Sequence, residues 1–173
     1  MNRTITKCQI LLALLLVTAG AWIATAADAP DAQPPVEPHP SGNIFLMASN
    51  AIVHGSQLRY EPLTNKNCLG YWTKAEDWAE WKFTLKEPRS YSVRLWQGCG
   101  KGQGGSEITI LLEKSQFHFV VRDTGGYQNF KEFTLGTVEL GPGIHSLQIK
   151  PENKKSGAIM DVQKVVLIPL EKR

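Results

Sequence analysis

Aromatic side chains that stand beside amide side chains are the residues of this sequence most suited to recognition chemistry. The chain of 173 residues contains five Trp and four Tyr, which is more than one small hydrophobic core needs. Tyr71, Trp72 and Tyr127 fall in predicted loops or strand ends, and Gln128 and Asn129 directly follow Tyr127. Aromatic rings can stack on the C–H faces of sugars while amides bond the hydroxyl groups. These five residues are therefore a predicted carbohydrate-binding site; the alternative is that the rings close the open ends of the fold.

Motifs for the common kinds of catalysis are absent from the sequence. It contains no His-Glu-x-x-His, no Gly-x-Ser-x-Gly and no phosphate loop, and its four histidines show no ligand spacing. The segment 123–125, Asp-Thr-Gly, resembles the aspartic-protease turn, but that chemistry needs two carboxylates that share a proton. The sequence therefore predicts a protein that is not an enzyme, with Asp123 in a polar turn between strands.

The N-terminal residues have the three parts of a secretory signal peptide. Arg3 and Lys7 precede an apolar run at 10–17, and small residues follow at 24–27. This pattern predicts a signal peptide over residues 1–27 and a secreted or periplasmic protein. A single-span anchor is the alternative; after cleavage no membrane span is expected. Residues 28–42 contain five prolines and predict an extended linker.

Export would leave two cysteines, Cys68 and Cys99, in an oxidising compartment. An even pair there predicts a disulfide bond between them, and the absence of a Cys-x-x-Cys pair gives zinc binding no support. Without residues 1–27, seventeen basic residues face sixteen acidic ones. This near balance gives no indication of a nucleic-acid partner.

From residue 43 onwards, alternating apolar residues indicate short β-strands. In one run Ala79, Trp81, Phe83 and Leu85 alternate with polar residues, and further runs follow at spacings of roughly ten residues. No window of about a dozen residues has the apolar stripe of an amphipathic helix. The pattern predicts an all-β domain over residues 43–173, built from two packed sheets.

Several segments, in this order and spacing, resemble family 6 carbohydrate-binding modules of the galactose-binding-like class. These segments are 77–83, 90–93, 124–129, 138–147 and 160–162. Three others resemble a variant that is appended to bacterial secreted sulfatases and glycoside hydrolases: 54–61, 67–72 and 97–102. The resemblance covers about residues 45–169 and implies a two-sheet jelly-roll β-sandwich.

The resemblance also implies a cleft among the loops, in which a sugar stacks between two aromatic rings. Tyr127 matches the aromatic residue of the family's Gly-Gly-aromatic-Gln turn, and Tyr71 or Trp72 falls in the region that supplies its partner. The family's amide before the last strand is missing, since Ala-Ile-Met occupies 158–160.

A structural calcium ion is the one cofactor that the resemblance implies. Asp161 matches one of its ligands, but Ser-Asn-Ala occupies 49–51, where the family has acidic residues. The implied partners are a polysaccharide or glycan and, in addition, secreted hydrolases or sulfatases. The Cys-x-Pro-x-Arg motif of sulfatases is absent from this chain. The alternative functions are an extracellular protein-interaction or cell-surface structural domain, or a chain named a sulfatase by association without the catalytic part.

Overall fold

The structure is a computed structural model that describes residues 33–171. The predicted signal peptide and the first residues of the predicted linker lie outside the described residues. None of the residues 33–171 forms a helix that is long and apolar enough to cross a membrane.

Eleven strands and one turn of 3-10 helix, at Ala48–Asn50, make up the described part of the chain. The strands are β1 (Ile44–Met47), β2 (Ile52–His54), β3 (Arg59–Glu61), β4 (Cys68–Gly70), β5 (Trp78–Leu85), β6 (Arg89–Cys99), β7 (Glu107–Leu112), β8 (Ser115–Val120), β9 (Gly126–Leu140), β10 (Gly143–Asn153) and β11 (Asp161–Pro169).

Two antiparallel sheets form the architecture. The larger sheet has the order β3-β4-β11-β6-β9, with β1 also paired to β11, and the smaller sheet has the order β2-β5-β10-β7-β8. Non-consecutive neighbours such as β4 and β11 are typical of a jelly roll. The predicted all-β jelly-roll sandwich is confirmed.

The apolar faces of the two sheets meet in one core. On β5 the predicted alternation is present, because Ala79, Trp81, Phe83 and Leu85 are buried while the residues between them are not. Burial of side chains of this size is worth roughly 1.5–3 kcal/mol each. The Trp81 ring nitrogen, Nε1, also donates a hydrogen bond of 2.8 Å to the Met47 carbonyl of the other sheet. The core therefore fixes how the two sheets, and the loops at their ends, lie together.

Part of the predicted linker belongs to the folded unit, which begins at Gln33. Val36 forms a parallel bridge with Phe83. Its N–H donates to Lys82 O at 2.8 Å, and its carbonyl accepts from the Thr84 N–H at 3.1 Å. The edge of β5 beyond the short strand β2 offers unpaired backbone groups, which an extended segment can satisfy. Residues 33–42 of the predicted extended linker thus lie in the compact unit, where Val36 is attached to β5.

The predicted disulfide between Cys68 and Cys99 is not formed in the structure. Both cysteines are buried free thiols. Cys68 begins β4 and Cys99 ends β6, and β11 lies between these two strands. Two strand spacings alone separate their Cα atoms by at least roughly 9–10 Å, which exceeds the ~7 Å that a disulfide can bridge.

Candidate functional site

An open groove of about 330 Å³ lies beside the short strands β3 and β4, where β9 and β11 begin. Its lining includes two aromatic rings and four polar side chains: Tyr71, Tyr127, Glu61, Lys66, Gln128 and Asp161. The groove lies at the larger sheet. Strands β3, β4 and β11 are neighbours in this sheet, and β9 follows on the other side of β6.

Tyr71 presents an exposed ring to this groove. The residue directly follows β4, is 46% exposed and has a φ of +57°. An aromatic residue rarely adopts this left-handed conformation, which costs roughly 1–2 kcal/mol. The Arg59 guanidinium lies 3.5 Å from the centre of the ring, in cation–π contact. Nζ of Lys66, which unlike Arg59 lines the groove, lies 5.6 Å from the centre of the same ring.

Tyr127, the second ring, is half-buried and rests on a glycine-rich segment. A Cβ atom at Gly100 would lie 2.8 Å from Cε2 of Tyr127, and one at Gly98 would lie 1.9 Å from its carbonyl oxygen. Only glycine at these positions lets β9 begin so close to the end of β6. Burial of the hydroxyl raises the pKa of Tyr127. The glycines at 98 and 100 therefore allow the ring to pack against this segment.

Asp161 and Glu61 also line the groove, and their two carboxylates make up its floor. Only 6% of Asp161 is exposed, and its Oδ2 accepts hydrogen bonds from Nε2 of Gln128 at 3.1 Å and from the Cys68 thiol at 3.6 Å. Burial raises the pKa of the Asp161 carboxyl to about 6. Burial also raises the pKa of the Cys68 thiol to about 12, with Asp161 as the second cause. The thiol is thus protonated and donates to the carboxylate.

Glu61 completes the floor from strand β3. Its Oε1 forms an ion pair with Nζ of Lys66 at 2.5 Å. The register of β3 and β4 places Glu61 opposite Cys68. Gly70 makes room for the carboxylate, because a Cβ atom there would lie 2.2 Å from Oε2 of Glu61 and 3.4 Å from Oδ1 of Asp161.

The groups around Asp161 do not fit the calcium ion that the resemblance implies. Glu61, Cys68 and Asp161 have ligand atoms within 4.8 Å of one another, but calcium takes six to eight oxygen ligands and a protonated thiol is not one of them. Lys66 already neutralises Glu61. The acidic ligands that a calcium site would need at residues 49–51 are replaced by Ser-Asn-Ala.

Three of the five predicted sugar-binding residues meet in the groove, namely Tyr71, Tyr127 and Gln128. Trp72 does not, which corrects its place in the predicted site. It is 0% exposed, and its Nε1 donates a hydrogen bond of 2.9 Å to the Asp77 carbonyl within the core. Asn129 is not in the lining either; its Nδ2 donates to Thr124 O and ties the preceding turn.

Two aspartates outside the groove lining, Asp123 and Asp77, form hydrogen bonds that hold the local backbone. Asp123 lies in an exposed turn and accepts a hydrogen bond from the Gly125 N–H at 2.8 Å, so the Asp-Thr-Gly segment is a turn, as expected. Asp77 is 1% exposed, and burial alone would raise its pKa. Backbone N–H groups from three consecutive residues donate to its carboxylate and hold the pKa below the ordinary value. These donors belong to Ser56, Gln57 and Leu58.

Glu61 and Lys66 are groove residues that the sequence analysis did not single out. Both lie in or next to the segment 54–61 and the loop that follows it, which carried part of the family resemblance. Opposite charges five residues apart, with Pro-Leu-Thr-Asn at 62–65 favouring a turn, were the signal that could have indicated an ion pair.

No family profile and no curated protein matches this chain, whereas solved structures do. A family 26 β-(1,4)-mannanase of Podospora anserina that includes a family 35 carbohydrate-binding module matches with a TM-score of 0.57 and 16% identity. That match covers 77% of this chain and 29% of the mannanase chain, so the chain spans less than a third of that enzyme's length.

Isolated carbohydrate-binding modules match over almost their whole length. The C-terminal family 6 module of a laminarinase from Zobellia galactanivorans gives a TM-score of 0.58 at 14% identity, covering 73% of this chain and 98% of the module. A family 6 module of Cellvibrio mixtus lichenase 5A, solved with cellotriose, gives 0.56 at 18% identity, covering 73% and 97%. At such identities the likeness concerns the fold. The chain has the jelly-roll fold of family 6 and family 35 carbohydrate-binding modules.

Proposed function

We propose that this protein is a secreted, non-catalytic carbohydrate-binding module that holds a glycan in the groove between Tyr71 and Tyr127. The observation that carries the proposal is that one groove is lined by two aromatic rings, Tyr71 and Tyr127, together with an amide and a carboxylate. This combination matches both surfaces of a sugar, the C–H face and the hydroxyl edge.

The geometry supports a weak and shallow site. A groove of about 330 Å³ is at the lower end of the size range of small-molecule sites. Little area can be buried in it, and the cost of association then leaves a modest affinity. Gln128 is already oriented by Asp161, which reduces the ordering that binding requires.

The proposal extends to where and with what the module works. Export follows from the predicted signal peptide, and the neighbour that combines a family 35 module with a mannanase supports a partner glycoside hydrolase. A sulfatase partner has support only from the sequence resemblance. The module would keep such an enzyme, or a cell surface, close to a polysaccharide.

Binding of glycans by Tyr71→Ala and Tyr127→Ala tests the proposed function. The purified chain without residues 1–27 is applied to an array of plant, algal and microbial oligosaccharides, and hits are measured by titration calorimetry. Each variant is expected to lose at least about fivefold in affinity, because stacking on an aromatic side chain is typically worth ~1 kcal/mol or more. Thermal unfolding of each variant shows whether the fold is intact.

Trp96→Ala is the matched control. Trp96 is also a half-buried aromatic residue, but it lies on β6 under Nζ of Lys164 at 4.7 Å and does not line the groove. Its loss is expected to leave glycan binding unchanged. If Trp96→Ala abolishes binding while Tyr127→Ala does not, the site is elsewhere. If the folded protein binds no glycan, the protein-interaction alternative replaces this proposal.

A further inference from the structure

Two carboxylate oxygens on the groove floor have no hydrogen-bond donor among residues 33–171. The first is Oδ1 of Asp161, since the donors Gln128 and Cys68 both bond Oδ2. The second is Oε2 of Glu61, since Lys66 bonds Oε1. A carboxylate oxygen in a largely buried position is a strong acceptor that needs a partner.

The two carboxylates lie close together at the groove. Carboxylate oxygens of Glu61 and Asp161 lie within 4.8 Å of each other, and both residues line the groove. Gly70 permits this approach, because a Cβ atom there would lie 2.2 Å from Oε2 of Glu61. Two neighbouring hydroxyl groups of a sugar can donate to two such acceptors.

Two cations near these carboxylates, Lys66 and Arg59, already contact other side chains. Nζ of Lys66 is paired with Glu61 at 2.5 Å, and the Arg59 guanidinium is stacked on Tyr71 outside the lining. No other Lys or Arg is among the lining residues of the described chain. A ligand carboxylate or sulfate would therefore meet the charge of Asp161 without a compensating cation, at short range and in a poorly solvated site.

We propose that Asp161 and Glu61 form a floor of hydrogen-bond acceptors that admits neutral sugars with adjacent hydroxyl groups and rejects acidic sugars. The inference rests on the proposed function and goes beyond it by assigning the charge class of the ligand. Asp161 acts as the residue that determines specificity, and Tyr71 and Tyr127 supply stacking that is indifferent to charge.

Paired neutral and acidic oligosaccharides provide the test. The probes are xylo-, gluco- and galacto-oligosaccharides, each beside oligogalacturonates or sulfated galactan oligosaccharides of equal length, at pH 7.5 and low salt. The wild-type chain is expected to prefer the best neutral probe by at least about tenfold. In Asp161→Asn an amide N–H₂ replaces the free acceptor. The affinity for neutral probes should therefore fall about tenfold, and the ratio of the affinities for neutral and acidic probes should decrease.

Glu132→Gln is the matched control, because Glu132 is an exposed carboxylate that pairs with Arg94 at 2.5 Å and does not line the groove. It is expected to leave the preference unchanged. Glu61→Gln provides a second test of the floor should Asp161→Asn lower the unfolding temperature.

Failure of this inference and failure of the proposed function give different results. Binding that requires Tyr71 and Tyr127 but is as tight for acidic as for neutral probes overturns the acceptor floor and leaves the glycan-binding function in place. Tighter binding of chitosan oligosaccharides than of neutral probes also overturns it, in favour of an ammonium ligand. An unchanged preference in both Asp161→Asn and Glu61→Gln overturns the roles of these residues. No binding of any probe by the folded protein contradicts the function itself.

Discussion

Replacing Asp161 with Asn is expected to stabilise the domain above pH 7 and to remove a pH dependence of its stability. Asp161 is 6% exposed, and burial, the largest cause, raises the pKa of its carboxyl from 3.8 to about 6. The Glu61 carboxylate acts in the same direction, while hydrogen bonds from Cys68 and Gln128 oppose the increase. The charged form of Asp161 therefore destabilises the folded state.

The sign and size of the effect follow from proton linkage. Because the pKa is higher in the folded chain than in the unfolded chain, the folded state binds the proton more tightly. The resulting stabilisation is complete below about pH 4 and is lost as the pH rises through about 6. The two pKa values differ by about two units, and each unit is worth about 1.4 kcal/mol, so the loss amounts to roughly 3 kcal/mol. Asp77, whose pKa is lowered, loses its stabilisation only at more acidic pH.

Urea unfolding of the chain without residues 1–27, at several pH values between 4.5 and 8, measures this effect. Asp161→Asn cannot ionise, so the free-energy difference between variant and wild type should grow by roughly 2 kcal/mol from pH 4.5 to pH 8, because part of the stabilisation is already lost at pH 4.5. Taking this difference cancels the titration of the other acidic groups. Glu132→Gln should show no such growth. A difference that is independent of pH, or an Asp161→Asn variant less stable than wild type at pH 8, would refute the buried-charge argument.

Three further predictions concern the parts that support the groove. Trp72→Ala should lower the free energy of unfolding by about 3–5 kcal/mol, since the ring is fully buried; a thermal unfolding temperature close to wild type would contradict this. Asp77→Asn should lower it by about 2 kcal/mol, because backbone donors bond the charged carboxylate, and hydrogen exchange should increase at residues 55–58. Because Cys68 and Cys99 are buried free thiols, dithiothreitol should leave the unfolding temperature unchanged, and a thiol reagent should modify both residues only after denaturation. A lower unfolding temperature under reducing conditions would indicate a disulfide.

The sheets were predictable because the period-two pattern is a local property of each strand. Ala79, Trp81, Phe83 and Leu85 alternate with polar residues whatever their partners are, and β5 has that alternation in the structure. Strand order is not local. The last strand, β11, lies between β4 and β6, and nothing within any one strand specifies that neighbour. The same limit explains the disulfide prediction, since a count of cysteines does not show that a strand separates Cys68 from Cys99.

The site was predictable in its residue types and only partly in its members. Tyr127 and Gln128 could be selected because an aromatic residue and an amide adjoin a glycine turn. Tyr71 and Trp72 could not be separated, because adjacent residues face different ways and only the path of the chain after β4 decides which ring is buried. Asp161 was selected for a different task, as a calcium ligand. Its contact with Glu61 joins strands far apart in the sequence, and such a contact requires the topology.

Two energetically unfavourable features occur in the same groove, and their coincidence supports a ligand. Tyr71 holds a left-handed backbone conformation that glycine would adopt without strain, and Asp161 retains a buried charge that asparagine would avoid. If these residues served the fold alone, Tyr71→Gly and Asp161→Asn should both stabilise the domain and change nothing else. Strained and charge-bearing residues persist where they contact a ligand. We therefore expect both substitutions to raise the unfolding temperature at pH 8 and to weaken glycan binding. Stabilisation without loss of binding would show that Tyr71 and Asp161 do not contact a glycan in the groove.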